Sequence, residues 1–440
     1  MNSELRKSGH RLPGREHCLT QPRLSLRRCR RKRAGLLTAW SVFALALAMI
    51  CTAFVVNHVW ISGIRQDALH CAESAALAAA HGLLSDDLLR SQQQPFEQEW
   101  RNQRGREAAI EMSHRYQRFT RVPPLIADDV RLTSVSSATA ERQAPPETAS
   151  RPDRVEVNWR NSGYTSDSIP LFLPGLTGVA QAALGVSAAA ALDNAPAAFR
   201  PSPVISVPVM PLAIPDDRGA AGAPTWSRLI ERDQGSDLLT WNDDRRQVEP
   251  GADGLPEITL ALAAGAVSGS PGTLVPLMFS GNRADPQVFR TWMTEGLRAA
   301  DPTAGGITEL QFPQDLSTAD LAASDLPRLA EALLRLQGIA RIYCLTEVPG
   351  QVIEGPGDDG EAAEDAEESR EQGEDAATSV QGRTVRSIRP VAARIMQVRM
   401  TSADQLRVTL QPCIIVTSTA VPGRAETRAN RYIYSIRLLR

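Results

Sequence analysis

Residues 34–64 read AGLLTAWSVFALALAMICTAFVVNHVWISGI, and residues 65–84 continue as RQDALHCAESAALAAAHGLL. The first stretch contains no Asp, Glu, Lys or Arg, and about 20 apolar residues suffice for a helix to cross a bilayer. The second stretch is rich in Ala and Leu, lacks Pro and has a single Gly near its end, a composition that favours a helix. Together they predict one helix, from Ala34 to about Leu84, that crosses a membrane and continues outside it.

The residues that flank the apolar stretch predict its orientation. The block RRCRRKR (27–33) stands immediately before it, and the positive-inside rule places such a block in the cytoplasm. Trp40 and Trp60 are separated by about 30 Å along a helix, so each is expected at one membrane interface. The apolar stretch is too long for the core of a signal peptide, which favours a retained anchor.

Small side chains recur at helical spacing in the second stretch. Ala68, Ala72 and Ala76 lie four residues apart, as do Ala75 and Ala79. Such ridges allow another helix to approach closely. Two interpretations remain open: the ridge packs on neighbouring membrane-anchored helices, or it is buried on the chain's own domain.

The rest of the chain predicts an α+β fold dominated by strands. Val155, Val157 and Trp159 alternate with polar residues, which is typical of a strand with one buried face. Helices are expected at 286–300 and at 319–338, where Pro327 would split the segment and Gly338 would occupy the C′ position.

The expected domain organisation follows from these patterns and from one acidic block. Residues 354–380 lack aromatic side chains and nearly all branched apolar ones, so they are expected to be a disordered insertion. The predicted regions are a basic cytoplasmic tail (1–33), a transmembrane helix (34–64), an extracytoplasmic helical stalk (65–122), a β-rich α+β region (123–353), the acidic insertion (354–380) and C-terminal strands that complete the β-rich domain (381–440).

The distribution of reactive residues argues against an enzyme. No His follows His114 and no Lys follows Lys32, which excludes imidazole-dependent nucleophilic catalysis and most zinc sites from the C-terminal part. The sequence DLSTA, beginning at Asp315, lacks the second Ser of a D-x-S-x-S metal site. We therefore expect no catalytic residue, metal or cofactor, and no binding of nucleic acid.

Two cysteines fall in late, apolar, strand-like sequence. Cys344 and Cys413 would lie in an oxidising compartment, which permits a disulfide. Two buried, reduced thiols are the other interpretation.

The order of the N-terminal segments resembles that of TadE/TadG-like proteins of the tight-adherence (Flp) pilus system. The shared order is a basic cluster, one apolar span, a polar break (NHVW, 57–60) and the alanine-rich helix. Asn57 stands where the family often has an Asp late in the span. Weaker similarity continues downstream at 106–119, 129–135, 153–163, 169–178, 185–191 and 205–215.

The resemblance implies a TadG-like protein and not a processed pilin. Processed pilins carry a Glu five residues after the Gly at the cleavage site, whereas Gly35 is followed at that spacing by Trp40. The implied function is a membrane-anchored component of Flp-type pilus assembly or secretion, held in the inner (cytoplasmic) membrane with the bulk of the chain outside. Its implied partners are pilin-like single-span proteins and other Tad components, and its oligomeric state stays open. The alternative is a single-pass extracytoplasmic binding or sensing module that works with a partner protein.

Overall fold

The computed structural model divides the chain into two compact units. The apolar-helix unit comprises Met1–Ser62 with Ile169–Ala182, and the strand unit comprises Gly63–Ser168 with Ala183–Arg440. The basic tail (1–33) and the acidic insertion (354–380) lie outside the described residues. The structure describes residues 34–90, 95–117, 124–133, 153–160, 169–172, 174, 181–216, 224–265, 272–279, 286–299, 308–347, 384–423 and 429–439.

The first helix, α1, runs without interruption from Ala34 to Gly82 over 49 residues. It is long and apolar enough to cross a membrane. The predicted single helix through residues 34–84 is therefore confirmed, with its end two residues earlier than expected. The described residues of the predicted stalk (65–122) belong to the strand unit.

Four further α-helices lie in the described part of the strand unit. A 3₁₀ turn at Ala323–Asp325 precedes the last of them, and Pro327 lies in that helix's first turn, so the predicted split is confirmed. The helices are α2 (Pro95–Gln117), α3 (Trp226–Leu229), α4 (Pro286–Glu295) and α5 (Leu326–Arg335), with further 3₁₀ turns at Asp86–Leu89 and Ala127–Asp129.

The prediction that Gly338 occupies the C′ position is wrong. The C-cap of α5 is Leu336, so Gly338 lies one residue beyond C′. It has a φ of 77°, and a Cβ there would approach the Trp241 ring to 2.0 Å. Glycine is therefore required by both the left-handed backbone and the neighbouring indole.

The described strands are short except for β15. They are β1 (Val130–Thr133), β2 (Arg154–Arg160), β3 (Ile169–Pro170), β4 (Gln181–Ala182), β5 (Gly185–Asp193), β6 (Pro196–Phe199), β7 (Val209–Pro215), β8 (Leu239–Asn242), β9 (Gln247–Pro250), β10 (Ile258–Ala263), β11 (Val275–Met278), β12 (Leu310–Gln311), β13 (Gln314–Thr318), β14 (Ala340–Glu347), β15 (Thr384–Ser402), β16 (Gln405–Pro412), β17 (Ile415–Val416), β18 (Ala420–Pro422) and β19 (Ile433–Leu439).

One five-stranded sheet has the order β1-β2-β5-β19-β17. Its second strand carries the predicted alternation, because Val155, Val157 and Trp159 are all buried. The last strand of the chain, β19, pairs antiparallel with β5 through Ile436 and Leu438. The predicted C-terminal strand is thus part of a sheet that begins before residue 135.

A second sheet closes on itself. Its order is β10-β16-β15-β13-β11-β7-β14, with an additional pairing between β14 and β15. The strands β7, β11, β13, β15 and β14 therefore form a ring in which every pairing is antiparallel except that of β7 with β14. Closure removes exposed strand edges.

The core of the strand unit contains residues from both helices and strands. Trp226, Trp292 and Tyr343 are among its largest fully buried side chains, and the Trp226 Nε1 donates to the Tyr432 hydroxyl at 3.2 Å. Leu89, which follows α1 by seven residues, belongs to the same hydrophobic cluster. The fold is therefore α+β, with the chain after α1 anchored in a largely strand-built core.

Candidate functional site

The first half of α1 exposes large apolar side chains around its circumference. Charged residues are absent from Ala34 to Ile64. Helices that are apolar on all sides are typical of protein cores or membranes, and here no core covers these side chains. The most exposed are Trp40, Val42, Phe43, Leu45, Phe54, Val55 and Val59, at 58–66 %.

The two predicted membrane-interface residues differ in their surroundings. Trp40 is 65 % exposed and makes an edge contact with Phe43. Trp60 is only partly exposed, because its ring meets Phe172 edge-to-face at 4.7 Å between centroids. Both lie on the same continuous helix, as predicted, and their assignment to membrane interfaces stays a prediction.

Asn57 is a buried polar residue within this otherwise exposed half. Its side chain is only 4 % exposed, and its Oδ1 accepts the Phe172 N–H at 3.0 Å. Asn57 and Phe172 belong to the same compact unit, although they are 115 positions apart in sequence. Residues from the middle of the chain therefore lie against the apolar helix.

The second half of α1 is buried along its alanine ridge. All five residues predicted to pack against another helix are at most 1 % exposed within this single chain: Ala68, Ala72, Ala75, Ala76 and Ala79. Of the two interpretations of the ridge, the structure supports burial on the chain's own domain. The ridge is therefore not a free surface for neighbouring membrane-anchored helices.

α2 contacts this half of α1 at very short range. A Cβ built on Gly82 would lie 3.1 Å from the Cα of Gly105 and from the Cβ of Ala108, and one on Gly105 would lie 3.3 Å from the Ala79 carbonyl oxygen. Small residues on both helices permit this approach. Farther along the same pair, the Ser74 hydroxyl donates to the Tyr116 hydroxyl at 3.1 Å.

The end of the α1 region is attached to the strands by an ion pair, the Asp86–Arg394 junction. The Arg394 guanidinium donates to one Asp86 oxygen, and the Ile414 N–H donates to the other at 2.7 Å. Arg394 also lies over the Trp241 ring, 5.9 Å from its centroid. Only 11 % of the Arg394 side chain and 26 % of that of Asp86 are exposed.

Burial dominates the electrostatics of this junction. It raises the pKa of Asp86 above the ordinary value of 3.8, and the Arg394 guanidinium and the Ile414 N–H counteract that rise only in part. Removing one partner of such a pair would leave an uncompensated buried charge. The junction therefore holds the chain after α1 in place only while both partners are present.

Cys344 and Cys413 are buried, free thiols. The structure thus supports the interpretation of two buried, reduced thiols, and it contains no disulfide between Cys344 and Cys413. Burial raises the pKa of each thiol to about 12. Cys344 lies in β14 opposite Pro390, whereas the Cys413 N–H donates to the Ala392 carbonyl.

Metal-ligating side chains do not converge within the described residues. No group of three or more His, Cys, Asp or Glu in that part of the chain could hold a metal ion. Asp315, from the incomplete metal motif, lies in β13 opposite Arg386 of β15. The contacts described here are those of helix packing and of a buried ion pair.

Sequence reasoning missed three parts of this site. The sequence marks Asn57 only as a polar residue late in the apolar stretch, and no neighbouring residue predicts Phe172 as its hydrogen-bond partner. The Asp86–Arg394 junction joins residues 308 positions apart, which no short-range pattern reveals. Gly82 and Gly105 carried a usable signal, because isolated glycines within helical sequence often mark close packing.

Comparison with protein-family models, with curated proteins and with solved structures found no match.

Proposed function

We propose that this protein is a membrane-anchored, TadG-like component of Flp-type pilus assembly or secretion that holds a folded α+β unit on the outer side of the inner membrane. The observation that carries the proposal is the change of environment along α1. Its first half exposes large apolar side chains and has no Asp, Glu, Lys or Arg, and its second half buries an alanine face in the strand unit. The basic block at 27–33 supports a cytoplasmic N-terminus.

The proposed mechanism is mechanical attachment. A continuous helix transmits position and orientation better than a flexible linker, and here the helix enters the packed unit directly. The contact of α1 with α2 and the Asp86–Arg394 junction fix its outer end. The proposed anchor and the first helical residues of the strand unit are therefore parts of one continuous helix.

The partners we propose are pilin-like single-span proteins and other components of the same system. Because the alanine ridge is covered within the chain, these partners would contact other surfaces, on the exposed side of the strand unit or on the apolar half of α1. We propose no catalytic role and no binding of nucleic acid.

The membrane anchor and the assignment to the Flp-type pilus system are tested in separate experiments. Alkaline extraction of membranes is expected to leave the full chain in the pellet, and its release into the soluble fraction would contradict the anchor. Purification of the tagged chain from its native membrane is expected to recover pilin-like proteins and secretion-platform components. Retention in the membrane without any of these proteins would contradict the pilus assignment.

A single-pass binding or sensing module is the second candidate. It is favoured by the closed strand ring with its own core, since such a unit can fold and bind a ligand without an assembly around it. Recovery of one stable non-pilin partner in the same purification would select this function.

A further inference from the structure

A second part of the chain lies beside the apolar half of α1. The return segment is defined here as the described residues between 169 and 182, namely 169–172, 174, 181 and 182. β3 and β4 pair within it through Ile169 with Ala182 and Pro170 with Gln181. The segment belongs to the apolar-helix unit, whereas the chain on both sides of it belongs to the strand unit.

The return segment contacts α1 at Asn57 and Trp60. Trp60 is the residue predicted to mark the extracytoplasmic membrane interface, and Asn57 lies on its membrane side. Asn57 precedes Trp60 by three residues, or about 4.5 Å along the helix. The Phe172 N–H bonds to Asn57, and the Phe172 ring packs on Trp60. If Trp60 marks the interface, the backbone at Phe172 lies at the depth where headgroups give way to acyl chains.

The backbone of the segment is suited to that depth. Non-helical chain at membrane depth requires partners for its polar groups. Asn57 supplies the acceptor for the Phe172 N–H, and Pro170 and Pro174 have no N–H to satisfy. The β3–β4 pairing uses further backbone groups near the base of the segment.

The side chains of the segment are suited to the same environment. No Asp, Glu, Lys or Arg occurs between Asp167 and Asp193. Phe172 is 57 % exposed although it is a large apolar ring. Covering the open side of such an apolar ring with lipid in place of water is favourable.

We propose that the return segment docks into the outer leaflet of the bilayer, with Phe172 in contact with phospholipid and Asn57 fixing its depth. This inference rests on the membrane anchor of the proposed function. It gives the protein a second membrane contact, far in sequence from the helix.

Photocrosslinking of the full chain in phosphatidylethanolamine–phosphatidylglycerol vesicles tests this inference. p-Benzoylphenylalanine replaces Phe172 in one protein and Phe43 in a matched control, and the attached phospholipid is counted. The Phe172 position is expected to give at least about one-third of the Phe43 yield, because both rings would contact lipid. A lower yield, or crosslinking to a second copy of the chain in place of lipid, would overturn the inference.

The same experiment separates the two claims. Lipid adducts at Phe43 without adducts at Phe172 refute the return segment's docking and leave the anchor intact. No adducts at Phe43 refute the anchor itself.

The role of Asn57 is tested in the same vesicles with p-benzoylphenylalanine at position 172. Asn57→Leu removes the acceptor for the Phe172 N–H, and the yield of lipid adducts is expected to fall by about threefold or more as the segment loses its fixed depth. Thr52→Leu, at an exposed polar position of the same helix, is expected to leave the yield unchanged. A yield unaffected by Asn57→Leu would overturn the role assigned to Asn57.

Discussion

The two halves of α1 share a backbone but differ in their side chains and surroundings. Residues 38–62 expose Trp, Phe, Leu and Val, and the two fully buried residues there, Ala53 and Asn57, are small or polar. Residues 63–82 bury an alanine ridge at close range to α2. The first half has no charged residue, whereas the second half carries Arg65, Asp67 and Glu73. Charge, side-chain size and the arrangement of faces together distinguish a lipid-facing helix from a packed one.

The comparison also shows why the helix can be continuous. Large side chains on all sides keep neighbouring backbones away, which suits lipid, whereas alanine and glycine on one face permit another helix to contact the backbone. The change in residue size near Gly63 therefore changes the environment without interrupting the helical hydrogen bonds.

The largest effect is expected where the chain after α1 is attached. Arg394→Met leaves Asp86 buried without its partner and should lower the free energy of unfolding by about 3–5 kcal/mol. Urea unfolding of the full chain in detergent, followed by tryptophan fluorescence, measures this. Arg399→Met, at an exposed position of the same strand, is the matched control.

A second variant shows whether the ion pair itself matters. Combining Arg394→Met with Asp86→Leu removes both charges and should recover part of the lost stability. If Arg394→Met and Arg399→Met have equal effects, the junction does not hold this end of the chain.

The alanine ridge should tolerate no enlargement. Ala79→Leu adds atoms where the Ala79 carbonyl lies next to Gly105, and overpacking of this kind should cost about 1–3 kcal/mol. Ala44→Leu, the same change in the exposed half, should leave the unfolding free energy unchanged. Equal effects at both positions would remove the distinction between the two halves.

The junction also predicts a dependence on pH. The pKa of folded Asp86 lies above 3.8, so the folded chain binds this proton more tightly than the unfolded chain does. The resulting contribution to stability is fully present below 3.8 and is lost as pH rises through the raised folded pKa. Unfolding free energies measured at a series of pH values should therefore fall with rising pH in the wild type relative to Asp86→Asn. Parallel curves for the two proteins would contradict the raised pKa.

The smallest effect is expected at the cysteines. Because Cys344 and Cys413 are buried with pKa values near 12, they should resist alkylation in the native protein and react only after unfolding. Mass spectrometry without reductant should find both thiols free, and reductant should not change stability. Loss of two hydrogens and a linked peptide pair would establish a disulfide instead.

Much of the local structure could be predicted because it depends on neighbouring residues. Composition identified α1, alternation identified the buried face of β2, and Pro327 identified the split before α5. The closure of the strand ring was not predictable, since the parallel pairing of β7 with β14 joins Ile342 to Val209 and depends on the whole core.

The candidate site was predictable to a smaller extent. The alanine spacing predicted a packing face but did not predict that α2 packs on it. The partner of the ridge is determined by the tertiary fold and not by the ridge residues themselves. Asn57 and Asp86 are single polar residues whose partners lie more than a hundred residues away. A single sequence gives no signal for such pairs.

The distance between two spin labels on α1 tests the central claim most directly. Labels introduced as unnatural amino acids at Val42 and Leu69, both exposed, would be separated by about 40 Å in an unbroken helix. Pulsed electron paramagnetic resonance of the full chain in lipid nanodiscs should give one narrow distribution at that distance. A mean below about 35 Å, or two populations, would show that the helix bends between its lipid-facing and packed halves and would contradict the account.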